Sequence, residues 1–281
     1  NVVVTEVDED RSVNAHGLHS FGTITKSAVA TGAELVAYSG FSGNNLLVQP
    51  YNSNLNPGTG DYSFTFWFKC SATGSEQIYM RRFGVPTVTG GMMMRLVSSS
   101  SVIQWYVRDT SSTATAVNST TALDDGNWHC IVGTREGSTA KLYIDGKLNS
   151  SSGCSANSHD PGTTSSLVIG AEEISSSPGT YQNPADSSSM ALMRYSLSAP
   201  SAEQIKKMYE DEKFLFQENA KATLYGSSDA ATALAFDDTT NLLHVGTSAG
   251  RSEFQGLRRI NNTTDAVTTA ISASNGLVAE Q

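Results

Sequence analysis

Glu172 and Glu173 are the nearest approach to a hydrolytic carboxylate pair in this chain. Retaining glycoside hydrolysis needs two carboxyl groups about 5–5.5 Å apart on one face. Neighbouring residues of a strand point to opposite faces, so this pair does not meet the requirement. The histidines (His16, His19, His129, His159, His244) show no metal-ligand spacing, and Cys70, Cys130 and Cys154 form no CxxC or Cys/His cluster. Asp109, Asp124 and Asp125 offer hard carboxylate oxygens of the kind calcium prefers, without EF-hand spacing. A last set combines flat rings with polar partners: Trp67, Gln104, Tyr106, Arg108, Lys141 and Tyr143. Those are residue types on which a sugar ring stacks and is hydrogen-bonded.

The elements that would position these groups are short strands. Tyr62, Phe64, Phe66 and Phe68 alternate with Ser63, Thr65, Trp67 and Lys69. Period-two alternation predicts a strand with one strongly apolar face. Trp67 then points away from that face and must be covered or used. Over Ser101 to Asp109, Ile103, Trp105 and Val107 share one face, and Gln104, Tyr106 and Arg108 the other. Trp128–Arg135, Ala140–Asp145, Leu167–Gly170 and Met190–Tyr195 supply further strands. Asp109 ends a strand, and Asp124 and Asp125 lie in a turn. Asp145-Gly146 signals a two-residue hairpin, whose central positions need positive φ. Met92-Met93-Met94 is either an adaptable contact surface or a strand entering the core.

One helix is predicted near 202–213. Ser201 and Gln204 have capping-box spacing, and Ile205, Met208 and Tyr209 recur at helical intervals. Beyond Phe216, strands are expected over Thr232–Phe236, Leu242–Thr247 and Phe254–Ile260. The N-terminus opens on the β-like run Val2-Val3-Val4 and an acidic stretch, Glu6 to Asp10.

Only 16% of the 281 residues are charged, and the net charge is −9. An acidic chain is a poor partner for nucleic acid or an anionic membrane, and Arg81-Arg82 and Arg258-Arg259 are too short to form a basic footprint. No stretch approaches the roughly 20 apolar residues of a membrane span. Three cysteines do not make a disulfide framework. The sequons at Asn118, Asn149, Asn261 and Asn262 are of a kind frequent by chance in a Ser/Thr/Asn-rich chain. A chain opening at Asn1 with no visible signal peptide is expected to be a piece of something longer.

From about Ser39 to Tyr209 the chain resembles the laminin-G-like, concanavalin A-like family. The resemblance is carried, in order, by Gly60-Asp61-Tyr62-Ser63-Phe64-Thr65-Phe66-Trp67-Phe68-Lys69 and by Leu123-Asp124-Asp125-Gly126-Asn127-Trp128-His129-Cys130-Ile131-Val132. The latter is similar to a "DGxWHHIV" block, with Cys130 in place of the second histidine. Lys141-Leu142-Tyr143-Ile144-Asp145-Gly146, Leu167-Val168-Ile169-Gly170 and Ser198-Ala199-Pro200-Ser201-Ala202-Glu203-Gln204-Ile205 follow. The flanks, Asp10-Arg11-Ser12-Val13-Asn14, Gly22-Thr23-Ile24-Thr25-Lys26 and Leu242 to Arg251, resemble laminin-G-bearing tail-fibre or virion proteins of tailed bacteriophages.

The resemblance implies an all-β fold: a concanavalin A-like, laminin-G-type antiparallel β-sandwich (jelly roll) with one short helix and a small C-terminal β appendage. The expected domains are an N-terminal β segment (1–38), the sandwich (39–215) and the appendage (216–281), the last packing on a neighbour or in an oligomer. It implies a non-enzymatic module that recognises a host cell-surface glycan or receptor, or serves fibre architecture beside other virion or fibre proteins. A homo-trimer on the virion is the expected assembly. The alternative is a glycan-binding module of a secreted, extracellular protein; a glycoside hydrolase or lyase ranks below both. Expected ligand contacts are Trp67, Gln104, Tyr106, Arg108 and Tyr143. Calcium at the rim, through Asp109, Asp124 and Asp125, is the one cofactor implied.

Overall fold

The computed structural model describes residues 4–8, 14–71, 74–85, 87, 89–221, 223–227, 230–256 and 258–281. Val2, Val3 and most of the Asp10–Asn14 motif lie outside the described residues. The chain runs through β1 (Val4–Asp8), β2 (Leu18–Phe21), β3 (Thr25–Ala28), β4 (Val36–Ser39), β5 (Leu46–Gln49) and β6 (Tyr62–Ser71). There follow β7 (Gln77–Phe83), β8 (Gly91–Leu96), β9 (Val102–Arg108), β10 (Ala114–Ala122), β11 (Asp125–Glu136) and β12 (Thr139–Ile144). Then come β13 (Lys147–Gly153), β14 (Leu167–Ile169), the two-residue pair β15 (Glu172–Glu173) and β16 (Tyr181–Gln182), β17 (Ser188–Ser196) and helix α1 (Ala202–Glu212).

Two antiparallel sheets face each other in a sandwich. One has eight strands in the order β1-β2-β5-β14-β7-β8-β9-β10, the other seven in the order β13-β12-β11-β6-β17-β4-β3. The alternating apolar residues of each strand meet between them. Tyr62, Phe64, Phe66 and Phe68 from one sheet pack with Met92, Met94, Ile103, Trp105 and Val107 from the other. Cys70 and Cys130 are buried and Cys154 is half-buried, and none of the three forms a disulfide with a described residue.

Contacts divide the chain into two units, one of residues 1–27 and 37–209, the other of 28–36 and 210–281. In the second, β18 (Ala231–Asp237), β19 (Leu242–Thr247), β20 (Gly250–Gln255) and β21 (Arg258–Asn262) form a four-stranded sheet, with β22 (Ile271–Ser274) and β23 (Leu277–Glu280) as a separate hairpin. The single strand expected over Phe254–Ile260 is instead the turn of a hairpin. Gly256 breaks it with φ 62°, a conformation that suits glycine. Glu34, from the 28–36 segment, accepts hydrogen bonds from the Thr223 amide and hydroxyl, a long-range link within this unit that local sequence cannot announce.

The outer face of the seven-stranded sheet is covered by α1. The capping box forms: the Ser201 amide donates to Gln204 Oε1 (2.8 Å), and the Gln204 amide to Ser201 Oγ (3.3 Å). Ile205 is buried, and Tyr209 stacks on Trp67 with centroids 5.6 Å apart and planes 15° apart. Trp67 is 2% exposed. The β12–β13 hairpin closes beneath the same helix, with Asp145 at φ 49° and Gly146 at φ 76°. A Cβ at Gly146 would lie 3.0 Å from Tyr209 Cβ and 3.2 Å from Lys206 Cα. Offset-stacked rings contribute about 0.5–1.5 kcal/mol beyond their area. Tyr209→Ala is therefore expected to cost about 1–2 kcal/mol in urea unfolding and to raise acrylamide quenching of Trp67. Unchanged quenching would show that the helix stays seated without the ring.

Candidate functional site

With one sheet covered by the helix, the eight-stranded sheet carries the other outward face. Along β9 the odd residues face the core, so Gln104, Tyr106 and Arg108 face outward. Register places Met93 of β8 opposite Tyr106, and Arg95 opposite Gln104. It places Arg81 of β7 opposite Met93 and Phe83 opposite Gly91. An irregularity between Ile78 and Met80 shifts the count on β7 by one. Tyr79 and Met80 both reach the core, and Arg81 returns to the outer face.

These side chains enclose a shallow cavity of about 240 Å³, lined by Arg81, Phe83, Met93, Arg95, Tyr106, Arg108 and Glu172. Phe83 and Tyr106 lie with ring centroids 5.9 Å apart. The Arg81 guanidinium sits 5.0 Å from the Phe83 ring centre, bridges to Glu172 at 3.2 Å and donates to Ser175 Oγ at 2.7 Å. Burial pulls its pKa down, with Glu172 opposing. Arg95 donates from Nε to Gln104 Oε1 (2.8 Å) and pairs with Glu76 at 3.2 Å. Gln104, 8% exposed, passes the chain on by donating to Asn118 Oδ1 (2.7 Å).

Arg108 differs from the other two arginines. Its Nε is buried without a hydrogen-bond partner, and its guanidinium makes no ion pair with a described residue. The residue itself is half-buried, as is Tyr106.

Of the five ligand contacts expected from sequence, Tyr106 and Arg108 line this cavity and Gln104 supports it from beside Arg95. Trp67 and Tyr143 do not take part. Both lie on the seven-stranded sheet and both are buried, Trp67 by Tyr209. Arg81, Phe83 and Arg95 line the cavity without having been among the expected contacts, and Met93 comes from the methionine run that had two readings, contact surface or core strand. Of the three consecutive methionines, Met92 and Met94 enter the core and only Met93 faces the cavity.

The expected calcium ligands are not brought together. Asp109 follows β9 at one end of the β9–β10 hairpin, while Asp124 and Asp125 follow β10 beyond the other end, where Ala122 pairs with Val102. A seven-residue strand separates those ends, about 20 Å. The fully buried Asp109 carboxylate already accepts from the Thr113 amide (2.7 Å) and Asn157 Nδ2 (3.0 Å). Burial raises its pKa, but these hydrogen bonds prevail and hold it below the usual carboxylate value. Asp125 accepts from the Asn127 amide (2.8 Å) and faces His129 Nε2 at 3.2 Å. Among the described residues no group of three or more His, Cys, Asp or Glu side chains could hold a metal ion, so these residues do not fit calcium.

His129 also bonds Asp145 through Nδ1 at 2.8 Å, and the other Asp145 oxygen accepts from the Cys130 amide. Asp145 foremost, against burial, raises the His129 pKa, and the ring ties the start of β11 to the β12–β13 hairpin. Glu172 and Glu173 are engaged separately: Glu172 by Arg81, Gln182 and Asn183, and Glu173 by the Gly179 amide. They form no paired-carboxylate site. No described helix is long and apolar enough to cross a membrane.

Residues 42–205 match a family model described as the concanavalin A-like lectin/glucanases superfamily. No curated protein sequence is significantly similar to the chain. Among solved structures, it is similar to the binding domain of Paraclostridial Mosquitocidal Protein 1, at 12% identity and a TM-score of 0.59, with 89% of this chain and 65% of that one covered. It is similar to the botulinum neurotoxin serotype D ligand-binding domain in complex with N-acetylneuraminic acid, at 14% identity, TM-score 0.57 and coverage of 90% and 59%. It is also similar to the botulinum neurotoxin DC binding domain in complex with SialylT, at 10% identity, TM-score 0.55 and coverage of 94% and 63%. The chain thus spans about three-fifths of the length of these domains. At such identities the likeness is one of fold.

Proposed function

The chain belongs to the concanavalin A-like lectin/glucanase superfamily, and on that premise we propose that it is a non-enzymatic glycan-binding module whose site is the cavity on the outer face of the eight-stranded sheet. The observation that carries this reading is the cavity itself. It offers the Tyr106 ring, the flexible Met93 and a set of arginine donors on three adjacent strands. A sugar has an apolar C–H face and a polar rim, and such a lining matches both. The three solved relatives described above are binding domains, two of them holding sialylated or sialic-acid ligands. That supports a binding role over hydrolysis.

The setting we propose is a tail fibre or other surface appendage of a virion, where the module meets a host cell-surface glycan or receptor or contributes to fibre architecture, as a homo-trimer. This rests on the flank residues and is separate from the site. Sedimentation of the chain is expected to give the mass of three copies. A monomer at every concentration would favour the alternative, a free-standing module of a secreted protein.

The site itself is tested by glycan-array binding of the whole chain, followed by titration of the best glycan against Tyr106→Ala. Losing the stacking surface is expected to weaken binding at least tenfold, about 1.4 kcal/mol. Full affinity in Tyr106→Ala would remove the cavity as the site.

A further inference from the structure

The charge of the cavity runs against the charge of the chain. The whole sequence carries net −9, yet the cavity is lined by three arginines and one glutamate. Two of those arginines are already matched. Arg81 is held by Glu172 and Ser175, and Arg95 by Glu76 and Gln104. Among the described residues Arg108 has no such match, and its Nε is buried without a hydrogen-bond partner. Burying a donor without a partner costs about 1–3 kcal/mol, more when charged. The Nε atoms of Arg82, Arg135, Arg251 and Arg258 are buried in the same way, so what sets Arg108 apart is its place in the cavity lining beside Tyr106.

We propose that the cavity takes a sugar bearing an oxyanion, a carboxylate or a sulfate ester, with Arg108 holding the oxyanion and Tyr106 under the sugar ring. The guanidinium fork matches both oxyanions in a bidentate way that neutral hydroxyls do not. Gln104 and Arg95 act as positioning residues: their hydrogen bond fixes the floor beside Tyr106. The net charge of −9 on the chain disfavours a long polyanion, because the field of the whole molecule repels it. A short glycan with a single charged unit is the ligand that fits both facts. This inference rests on the glycan-binding reading and specifies its ligand class.

The test is an array on which each acidic glycan stands beside its neutral counterpart: uronate beside methyl ester, sialylated beside asialo, sulfated beside desulfated. The whole chain is expected to bind acidic members only. A carboxylate-only or a sulfate-only pattern identifies which oxyanion is used. Titration of the best acidic glycan should weaken tenfold to a hundredfold in Arg108→Gln, with partial recovery in Arg108→Lys. Melting curves establish that each variant folds; if Arg108→Gln does not, the comparison of acidic with neutral glycans on the parent chain still decides. Equal binding of acidic and neutral partners, or an Arg108→Gln titration matching the parent, overturns this inference and leaves the glycan reading standing. Binding to no glycan of either kind overturns both.

Discussion

Trp105→Ala is expected to lower unfolding free energy by about 3–5 kcal/mol, the usual cost of deleting a large buried aromatic. Domains of ordinary stability have about 5–15 kcal/mol to lose, so the variant should unfold at much lower urea. Trp105 is fully buried between the two sheets. Its indole N–H donates to the Thr134 carbonyl of β11 at 3.1 Å, tying β9 to the opposite sheet. Its ring meets Tyr62 edge-on, with centroids 6.1 Å apart. The space it fills exists because Gly133 has no side chain. A Cβ there would come within 2.5 Å of the Trp105 ring and 2.8 Å of Met94 Cε. Gly133→Ala alone should therefore cost about 1–3 kcal/mol through overpacking. In the Trp105→Ala background the added methyl enters the vacated space, so the two changes should be strongly non-additive. Urea unfolding of both single variants and the double variant measures the coupling. Simple additivity would mean that Gly133 does not shape this part of the core. The same strand carries Tyr106 and Arg108 on its other face, so Trp105→Ala should also weaken glycan binding without touching the cavity.

Much of this arrangement is legible in local sequence, because period two is a local property. Tyr62, Phe64, Phe66 and Phe68 go inward, and Gln104, Tyr106 and Arg108 outward, as alternation predicts. The hairpin at Asp145-Gly146 and the cap at Ser201 are also local, and both form. What alternation does not reveal is what lies over each outward face. Trp67 and Tyr106 look equivalent by that rule. Only the landing of α1 on the seven-stranded sheet separates a covered tryptophan from an available tyrosine. The arginines fail to show for a related reason. Arg81 and Arg82 are adjacent, so one faces the cavity and the other turns in to Asp160, at 3.3 Å. Reading them as one basic pair hides that division. The bulge at Ile78–Met80 further breaks the parity by which Arg81 could have been placed. Arg95 joins the site through register with Gln104, a pairing set by the β8–β9 connection. The expected calcium set fails on the same ground: Asp109 and Asp125 are near in sequence but at opposite ends of a hairpin.

Acid is expected to destabilise the chain through His159, by about 3 kcal/mol between pH 6.5 and pH 4. His159 is fully buried and shares a 2.6 Å hydrogen bond between Nδ1 and the Tyr62 hydroxyl, while Nε2 has no hydrogen-bond partner. Beside it Arg135, also buried, is held by the carbonyls of Thr59, Gly60 and Ser155. Burial first, and the Arg135 charge second, push the His159 pKa down to about 4, with Ser155 and Asp109 opposing. Above the unfolded value of about 6.5 the imidazole is neutral in both states and contributes nothing to pH dependence. As pH falls below that value the unfolded chain takes up a proton that the fold resists, and stability drops until the folded value is reached. His129 works in the opposite direction. Its raised pKa gives stability that is fully present in acid and lost as pH rises through the folded value. The two contributions are separated by His159→Gln, which removes the buried titration and leaves His129 in place. Urea unfolding from pH 7.5 to pH 4 should show the parent more stable at neutral pH, with its advantage shrinking by about 3 kcal/mol toward acid. A constant gap across that range would mean that the imidazole ionises in the fold as readily as out of it. The cluster fixes Asp109 through Asn157 and the loop after β13, so this acid loss should also loosen the far end of β9, where Arg108 stands. Glycan affinity measured over the same range should therefore fall with the parent's stability, and fall less in the His159→Gln variant.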